Sequence, residues 1–236
     1  MAQKAKVLVI CGPTAGGKSA RALALAAERG GVVINADSMQ IYDALPILTA
    51  RPSADDEIQA SHRLYGVLAP QEACSAQRWR DLALVEIDKA LADGQTPILV
   101  GGTGLYLKAL MEGLSPIPDV PPEFRSQAME KQRTLGNPAF HGALGAIDPV
   151  MAARLHPNDT QRLIRAYEVI TATGKSLADW QALPPVGAPS HLDFDVELIV
   201  PERSELYHRY NARFDLMLEN GGLEEVEAFD ALIANG

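Results

Sequence analysis

The sequence predicts an α/β fold, with a parallel sheet core that carries helices on both faces and is interrupted by a helical insertion. Strand and helix patterns alternate through the first part of the chain, as they do when crossover helices join parallel strands. The proline-rich stretch SPIPDVPP at 115–122 then opens a long segment with helical patterns and no convincing strand. A strand pattern, DVELIV, returns at 195–200. We therefore expect residues 1–115 and 192–236 to form the core and residues 116–191 to form a helical insertion domain.

The expected core elements follow one another in a regular order. An apolar strand at 6–10 runs into a Gly-rich turn, and a helix rich in Ala and Leu covers about 18–28. A second helix is expected at 75–93, where apolar residues recur at helical spacing; they are Trp79, Ala83, Ile87, Ala90 and Leu91. This spacing favours core packing of Trp79 over base stacking. The remaining elements are strands at 32–34, 97–100 and 195–200 and a helix beginning at 105–111.

Composition excludes several classes of protein. Hydrophobic residues make up 47% and charged residues 22% of the 236 positions, which is typical of a folded domain and not of a disordered chain. No apolar run approaches the ~20 residues of a membrane helix, and the start MAQKAKVLVICGP lacks a secretory signal, so we expect a cytoplasmic protein. Cys11 and Cys74 have no CxxC spacing, so neither a disulfide framework nor a zinc site is indicated. Both cysteines are expected to be small buried residues.

The net charge of −9 argues at first against a nucleic-acid partner, because contacts to phosphate supply much of the affinity in such complexes. The charge is unevenly distributed, however. Residues 214–236 hold six acidic residues and no Lys or Arg. Short basic patches remain elsewhere in the chain.

The strongest motif is an octapeptide that fits the pattern G-x-x-x-x-G-K-[ST] between a strand and a helix. It consists of Gly12, Pro13, Thr14, Ala15, Gly16, Gly17, Lys18 and Ser19. Glycines let the backbone curl so that successive N–H groups face one anion, and the helix N-terminus adds the positive end of its dipole. The motif predicts a P-loop NTPase-like core that binds phosphate. By itself it does not distinguish ATP or GTP from another diphosphate.

Two further features narrow the class of enzyme. The strand in TPILVGGT, at 96–103, ends in Gly-Gly-Thr and lacks the magnesium-binding Asp that NTP hydrolases carry, which weakens a motor or switch interpretation. Asp37 follows the second expected strand. Loops at the carboxyl ends of parallel strands converge on one crevice, so Asp37 should face the phosphate loop. There it could act as a general base, although the same position also suits a helix N-cap.

Five blocks of sequence together resemble the tRNA dimethylallyltransferase family, in order and in spacing. They are GPTAGGKS, DSMQIYDALPILTARP, HRLYGVL, LVGGTGLYLKALMEG and LHPNDTQRLIRAYEV, and they span nearly the whole chain. The resemblance implies transfer of a dimethylallyl group from dimethylallyl diphosphate to the N6 amine of the adenosine 3′ to the anticodon, in tRNAs that read codons starting with U. Diphosphate is the second product. The expected partners are dimethylallyl diphosphate and the tRNA anticodon stem-loop, with Mg²⁺ as cofactor, for a cytoplasmic monomer that does not associate with membranes.

The resemblance also implies roles for individual residues. Residues 12–19 would hold the diphosphate, with Ser19 as a ligand of Mg²⁺. Asp37 would be the general base on the exocyclic amine, and Thr103 would help to position it. Lys18 and Arg213 would stabilise negative charge on the leaving diphosphate. From position alone, Arg213 could instead be a solvated helix arginine.

A base that reacts with a buried donor must first be extruded from its stack. The tRNA contacts that the resemblance implies are Asp37, Ser38, Met39, Gln40, Thr103, Arg125, Gln161, Arg162, Leu163, Ile164 and Arg165. Ser38 and Gln40 would read the edge of the flipped base. The segment 158–161 looks like a capping box that opens a helix. On this helix an apolar face is expected from Leu163, Tyr167 and Ile170, and a polar face from Gln161, Arg165 and Glu168. Arg162 and Arg165, with Arg154 and His156 just upstream, form a local basic patch. Without the resemblance, such a patch is more often a solvated surface.

Two other functions fit parts of the pattern. A small-molecule or nucleotide kinase would share the phosphate loop, an Asp after the second strand and a helical lid. A non-catalytic phosphate-binding module would bind the donor without forming product. Members of the resembled family continue through a basic C-terminal segment that contacts tRNA, and the 236 residues end before it. We therefore expect the donor site to be complete, whereas the sequence leaves tRNA affinity and turnover open.

Overall fold

The structure is a computed structural model that describes residues 4–235. Its sheet is entirely parallel and has the strand order β3-β2-β4-β1-β5. The strands are β1 (Ala5–Cys11), β2 (Gly31–Asn35), β3 (Ser61–Arg63), β4 (Thr96–Gly101) and β5 (Leu192–Leu198). The helices are α1 (Lys18–Arg29), α2 (Ala54–Gln59), α3 (Ala76–Ala92), α4 (Gly104–Met111), α5 (Pro122–Ile147), α6 (Pro149–Arg154), α7 (Thr160–Thr173), α8 (Leu177–Gln181), α9 (Arg203–Glu219) and α10 (Gly222–Asn235). The expected α/β fold, a P-loop NTPase-like parallel sheet with helices on both faces, is confirmed.

Alternation along the central strands produces two cores, because successive side chains of a strand point to opposite faces. Val7 and Val9 of β1 pack in the same cluster as residues of α3 and α4, whereas Leu8 and Ile10 pack with residues of α1. Trp79 is fully buried, as its helical spacing predicts. Both faces of the sheet are therefore covered at β1, β2 and β4, which explains the near-continuous apolar sequence of these three strands.

The last strand lies earlier in the sequence than expected. It was expected at 195–200, but β5 covers Leu192–Leu198 and pairs with β1 from Ala5 to Cys11. Its partner strand β1 ends at Cys11, where the phosphate loop begins, and Pro201 has no N–H to donate to a further ladder hydrogen bond. The sequence pattern also missed α2 and β3, which are too short to show a period.

Residues 4–235 divide into two compact units, one formed by 4–112 with 188–235 and the other by 113–187. The expected insertion was 116–191. The second unit contains α5 to α8 and has its own core, which includes Phe140, Leu144, Leu163 and Val169. Among residues 4–235, no helix is both long enough and apolar enough to cross a membrane.

Candidate active site

The phosphate loop connects β1 to α1 at the carboxyl edge of the sheet. Gly12 adopts a φ of +147°, and a Cβ there would lie 2.2 Å from the carbonyl oxygen of Ile199. Only glycine fits this position. The loop closes with a hydrogen bond from the Gly16 N–H to the Pro13 carbonyl, at 3.1 Å. Its amides are thereby arranged at the N-terminus of a twelve-residue helix, an arrangement that favours anions.

Lys18 lies at the start of α1, and its ammonium donates a hydrogen bond of 2.8 Å to the Pro13 carbonyl. Burial lowers the pKa of Lys18, and the nearby positive charge of Arg213 lowers it further, whereas Asp37 opposes the shift. Burial likewise lowers the pKa of Arg213, again opposed by Asp37. These three charges are therefore close enough to interact electrostatically. Two partly buried cations, one of which lowers the pKa of the other, form a site that an anion would stabilise.

The backbone of Asp37 is held by a buried asparagine at the end of β2. The side chain of Asn35 accepts a hydrogen bond from the Asp37 N–H at 2.8 Å and donates to the Asp37 carbonyl at 3.0 Å. It also donates to the carbonyl of Leu64 at 3.0 Å. One carboxylate oxygen of Asp37, Oδ1, accepts the Met39 N–H at 2.9 Å. The carboxylate therefore caps a turn and not a helix, so the helix N-cap interpretation is wrong.

Thr103 holds the Asp37 loop from the side of β4. Its hydroxyl oxygen accepts the Ser38 N–H at 2.9 Å and lies 3.3 Å from the Ser38 hydroxyl. Its own N–H donates to the Ala36 carbonyl at 3.3 Å. The sequence prediction named Thr103 but missed Asn35. An uncharged polar residue at the end of an apolar strand was the signal available for Asn35.

A cavity of about 580 Å³ joins the phosphate loop to the Asp37 loop. Its polar lining includes Lys18, Ser19, Asp37 and Arg213. Its apolar lining includes Leu45, Leu48, Phe214 and Met217. The volume lies within the range of roughly 300–1,000 Å³ that small-molecule sites occupy. The lining therefore combines groups that suit a phosphate with groups that suit an apolar chain.

Helix α9 contributes a second arginine that the sequence prediction missed. Arg209 donates a hydrogen bond of 3.3 Å to the Gly16 carbonyl and pairs with Glu205 at 2.5 Å. Together with Arg213 and residues 15–20 it lines a smaller cavity of about 340 Å³. Arg209 precedes Arg213 by one helical turn, and that spacing was the available signal. Both arginines therefore face the phosphate loop.

The apolar wall of the larger cavity is anchored by α10. Both carboxylate oxygens of Glu225 accept backbone hydrogen bonds, from Ile47 N–H at 2.9 Å and from Leu48 N–H at 3.0 Å.

The side-chain amide of Gln40 donates to the carbonyls of Thr49 and Ala50, at 2.8 and 2.7 Å. With its amide donors used in this way, Gln40 has only its carbonyl oxygen to offer a base edge. In this conformation Gln40 can accept a hydrogen bond from the flipped base but cannot donate one to it.

Several expected features of the second unit need correction. Leu163 is fully buried and Ile164 is 8% exposed, so their side chains belong to the core and are not available to tRNA in this structure. Glu168 was expected on a polar face but is 2% exposed. The segment 158–161 is a single cap, in which Asp159 Oδ1 accepts the Arg162 N–H at 3.4 Å, and not a reciprocal box. In the first unit, Cys11 and Cys74 are free and only partly buried.

The remaining expected tRNA contacts are accessible. The side chains of Arg125, Arg162 and Arg165 are 58%, 76% and 42% exposed. Gln161 is exposed at the start of α7, and Met39 is 57% exposed beside Asp37. Ser38 is partly buried and bonded to Thr103.

Fold and site together define a P-loop protein that can hold a phosphate-bearing substrate beside a fixed carboxylate. A sequence model of the IPP transferase family matches residues 40–235, and the chain belongs to this family. It is 55% identical over 225 residues to a tRNA dimethylallyltransferase of Paramagnetospirillum magneticum, covering 95% of this chain and 71% of that relative. It is 54% identical to the enzyme of the same name from Rhodospirillum centenum, with coverages of 96% and 72%. The resemblance inferred from the sequence is thus confirmed.

Comparison with solved structures supports the same family. The chain superposes with a TM-score of 0.77 and 28% identity on a eukaryotic dimethylallyltransferase crystallised acting on tRNA, covering 98% of this chain and 57% of that one. It superposes with a TM-score of 0.61 and 34% identity on the tRNA isopentenylpyrophosphate transferase of Bacillus halodurans, covering 97% and 71%. This chain therefore spans 57% and 71% of the lengths of these two structures.

Proposed function

We propose that this chain transfers a dimethylallyl group from dimethylallyl diphosphate to the N6 amine of an adenosine in tRNA and releases diphosphate. The observation that carries the proposal is the single cavity in which the phosphate loop, Arg213 and Asp37 meet an apolar wall. A phosphate-bearing isoprenoid matches this combination of polar and apolar lining. Family membership does not favour the kinase or the non-catalytic module.

The reaction is a displacement at the first carbon of the prenyl chain. The N6 lone pair forms the new C–N bond while the C–O bond to diphosphate breaks, and the electron pair of that bond leaves with the diphosphate. The proton lost from N6 passes to the carboxylate of Asp37, which acts as general base. Positive groups fixed in advance around the leaving oxygens lower the barrier, because they stabilise charge that develops only during bond breaking. Lys18, Arg213 and the loop amides fill this role.

The residues at the site fit a Mg²⁺ ion that is held largely by its substrate. The Ser19 hydroxyl and the Asp37 carboxylate line the same cavity, and oxygen ligands of this kind are those that Mg²⁺ prefers. Within residues 4–235, no group of three or more His, Cys, Asp or Glu residues could hold a metal ion. Ser19 would therefore be a ligand beside diphosphate oxygens and water. When bound, the ion would add positive charge at the leaving group.

The finer features of the activity are part of the same proposal. The acceptor is the adenosine 3′ to the anticodon in tRNAs that read codons starting with U, and the binding partner is the anticodon stem-loop. The flipped base enters beside Ser38 and Met39, and Arg125, Arg162 and Arg165 contact the RNA. We also propose that the chain acts as a monomer in the cytoplasm, where its tRNA substrate is found.

The proposal is tested by incubating the chain with radiolabelled dimethylallyl diphosphate and an anticodon stem-loop, with a parallel reaction containing γ-labelled ATP. Label should reach the RNA from the prenyl donor and not from ATP. Asp37→Asn should reduce transfer by about 10²–10⁴-fold, the range of general-base catalysis, while retaining pyrophosphate binding. Asp43→Asn alters an exposed acid six positions along and should leave transfer unchanged. Wild-type transfer by Asp37→Asn, or phosphoryl transfer from ATP, would contradict the proposal.

A further inference from the structure

Glu168 is an unusual residue for the interior of the second unit. The described residues include three buried polar or charged side chains, of which Glu168 is one, at 2% exposure. The other two have evident structural roles. Asn35 supports the Asp37 loop, and Asp148 caps α6 while accepting a 2.7 Å hydrogen bond from Ser176. Glu168 lies in the interior of α7 and caps no helix.

The contacts of the Glu168 carboxylate are with two arginines. Its Oε1 accepts a 2.5 Å hydrogen bond from Arg165 one turn earlier in α7, and its Oε2 lies 3.6 Å from a guanidinium nitrogen of Arg125 in α5. Among the described residues, Oε2 is the one buried side-chain oxygen or nitrogen without a hydrogen-bond partner. Burying a charged carboxylate with incomplete hydrogen bonding is unfavourable, and an apolar residue of similar volume often stabilises a fold better. Stability alone therefore does not account for a carboxylate here.

Exposure differs sharply between the partners. Glu168 is buried, whereas the side chains of Arg125 and Arg165 are 58% and 42% exposed. Each guanidinium carries five N–H donors in a planar fork, and Glu168 engages one nitrogen of each. The carboxylate thus hydrogen-bonds Arg165 and forms a longer ion pair with Arg125, and the other N–H groups of both guanidiniums can serve another anion. Arg162 provides a contrast, because its partner Asp159 is itself 35% exposed and lies at 3.4 Å.

We propose that Glu168 is a positioning residue for tRNA binding, which holds the guanidinium groups of Arg125 and Arg165 in the orientation that meets RNA phosphates. This inference rests on the proposed function, which assigns both arginines to tRNA. Fixed arginines lose less conformational freedom on binding than free ones, so pre-orientation strengthens the complex. The buried location of the carboxylate keeps it away from the approaching phosphates.

The proposal predicts a change in RNA affinity that is opposite to the change expected from net charge alone. Removing a negative charge beside an RNA-binding surface should strengthen binding to a polyanion. If Glu168 acts by positioning, Glu168→Gln should instead raise the Kd of the chain for an anticodon stem-loop by about tenfold, within the range seen for coupled neighbouring residues. Glu130→Gln makes the same charge change at an exposed acid of α5 that pairs with Arg133, and should not weaken binding.

A mutant cycle tests whether Glu168 affects stem-loop binding through Arg125 and Arg165. Glu168→Gln should have no further effect on Kd in a chain that already carries Arg125→Gln and Arg165→Gln, since the groups it positions are gone. Glu168→Met provides a second variant that removes the carboxylate without leaving a buried polar atom, and thermal unfolding of each variant identifies any loss of fold. Glu168→Met should weaken stem-loop binding as Glu168→Gln does.

Three outcomes would overturn the proposal. One is a folded Glu168→Gln or Glu168→Met that binds the stem-loop as tightly as the wild-type chain. Another is the same loss of affinity in the background without the two arginines. Failure of the wild-type chain itself to bind the stem-loop would overturn the proposed function as well, so the two failures are distinguished by the wild-type measurement.

Discussion

Gly101 provides a sharp test of how the site is held together. It ends β4 directly beside the segment that carries Asp37, and a Cβ at this position would lie 2.1 Å from the carbonyl carbon and oxygen of Ala36. Ala36 is tied to β4 by a 2.8 Å hydrogen bond from its N–H to the Val100 carbonyl. Substitution of Gly101 by alanine must therefore push the Asp37 loop away from β4.

The size of the effect follows from the distances. Because Cβ atoms are essentially never found within 3.0 Å of a heavy atom of a residue that is not a chain neighbour, a contact of 2.1 Å requires a backbone displacement of at least about 0.9 Å. Overpacking of this kind typically costs about 1–3 kcal/mol of stability. A misplacement of ~1 Å in a catalytic group can reduce the rate by ~10²-fold. We therefore expect Gly101→Ala to reduce kcat/KM for prenyl transfer by about two orders of magnitude.

The assay is transfer of label from dimethylallyl diphosphate to an anticodon stem-loop, with Tm measured for each variant. Gly104→Ala is the matched control, because it lies three residues later at the start of α4 and its Cβ would meet no atom within 4 Å. It should keep wild-type kinetics. Folded Gly101→Ala with wild-type kcat/KM would show that the position of the Asp37 loop does not govern the reaction.

Three further predictions concern the donor site. Burial lowers the pKa of Lys18. Because an ammonium is charged only below its pKa, pyrophosphate binding should weaken as pH rises through this lowered value. Lys18→Arg should move the loss of binding to higher pH, since arginine stays charged. Arg209→Ala should weaken pyrophosphate binding about fivefold, the scale of a partly exposed ion pair, without affecting stem-loop affinity. Glu225→Gln disturbs two backbone hydrogen bonds to the cavity wall, and should lower the free energy of unfolding by about 1–2 kcal/mol and raise KM for the prenyl donor.

Each of these predictions has its own control and a result that would contradict it. An alkaline loss of binding that is identical in wild type and Lys18→Arg would exclude Lys18 as its source. Arg203→Ala alters an arginine of the same helix that contacts Tyr207, and an equal loss in this variant would remove the case for Arg209. Glu224→Gln changes the exposed neighbour of Glu225 and should leave both Tm and KM unchanged.

The phosphate loop and most of the core could be predicted because their signals are local. The apolar run at 6–10, the helical spacing around Trp79 and the motif at 12–19 each lie within one short stretch of chain. Elements too short to repeat a pattern, such as the three-residue strand β3, offered no such signal. The strand β5 was misplaced because its limits are set by pairing with β1 and not by its own apolar run.

Asp37 and Glu168 illustrate why the remaining features required the structure. The sequence placed Asp37 after a strand but left base and helix cap equally possible, and the hydrogen bonds of Asn35 and Thr103 remove the helix cap interpretation. Glu168 occupies a position that helical spacing assigned to a polar face. Its burial depends on packing between α5 and α7, which a pattern within one helix does not contain.

The sequence by itself determined the parallel sheet core, the anion-binding loop and the family, because these depend on backbone conformation and on residues that are neighbours in the chain. Tertiary structure decided which side chains share a cavity. Arg209 meets Gly16, Glu225 meets the 47–48 backbone and Arg125 meets Glu168 only after folding brings distant segments together. Charge interactions and hydrogen bonds act over a few ångströms in space, so the number of residues between two side chains does not tell whether they interact.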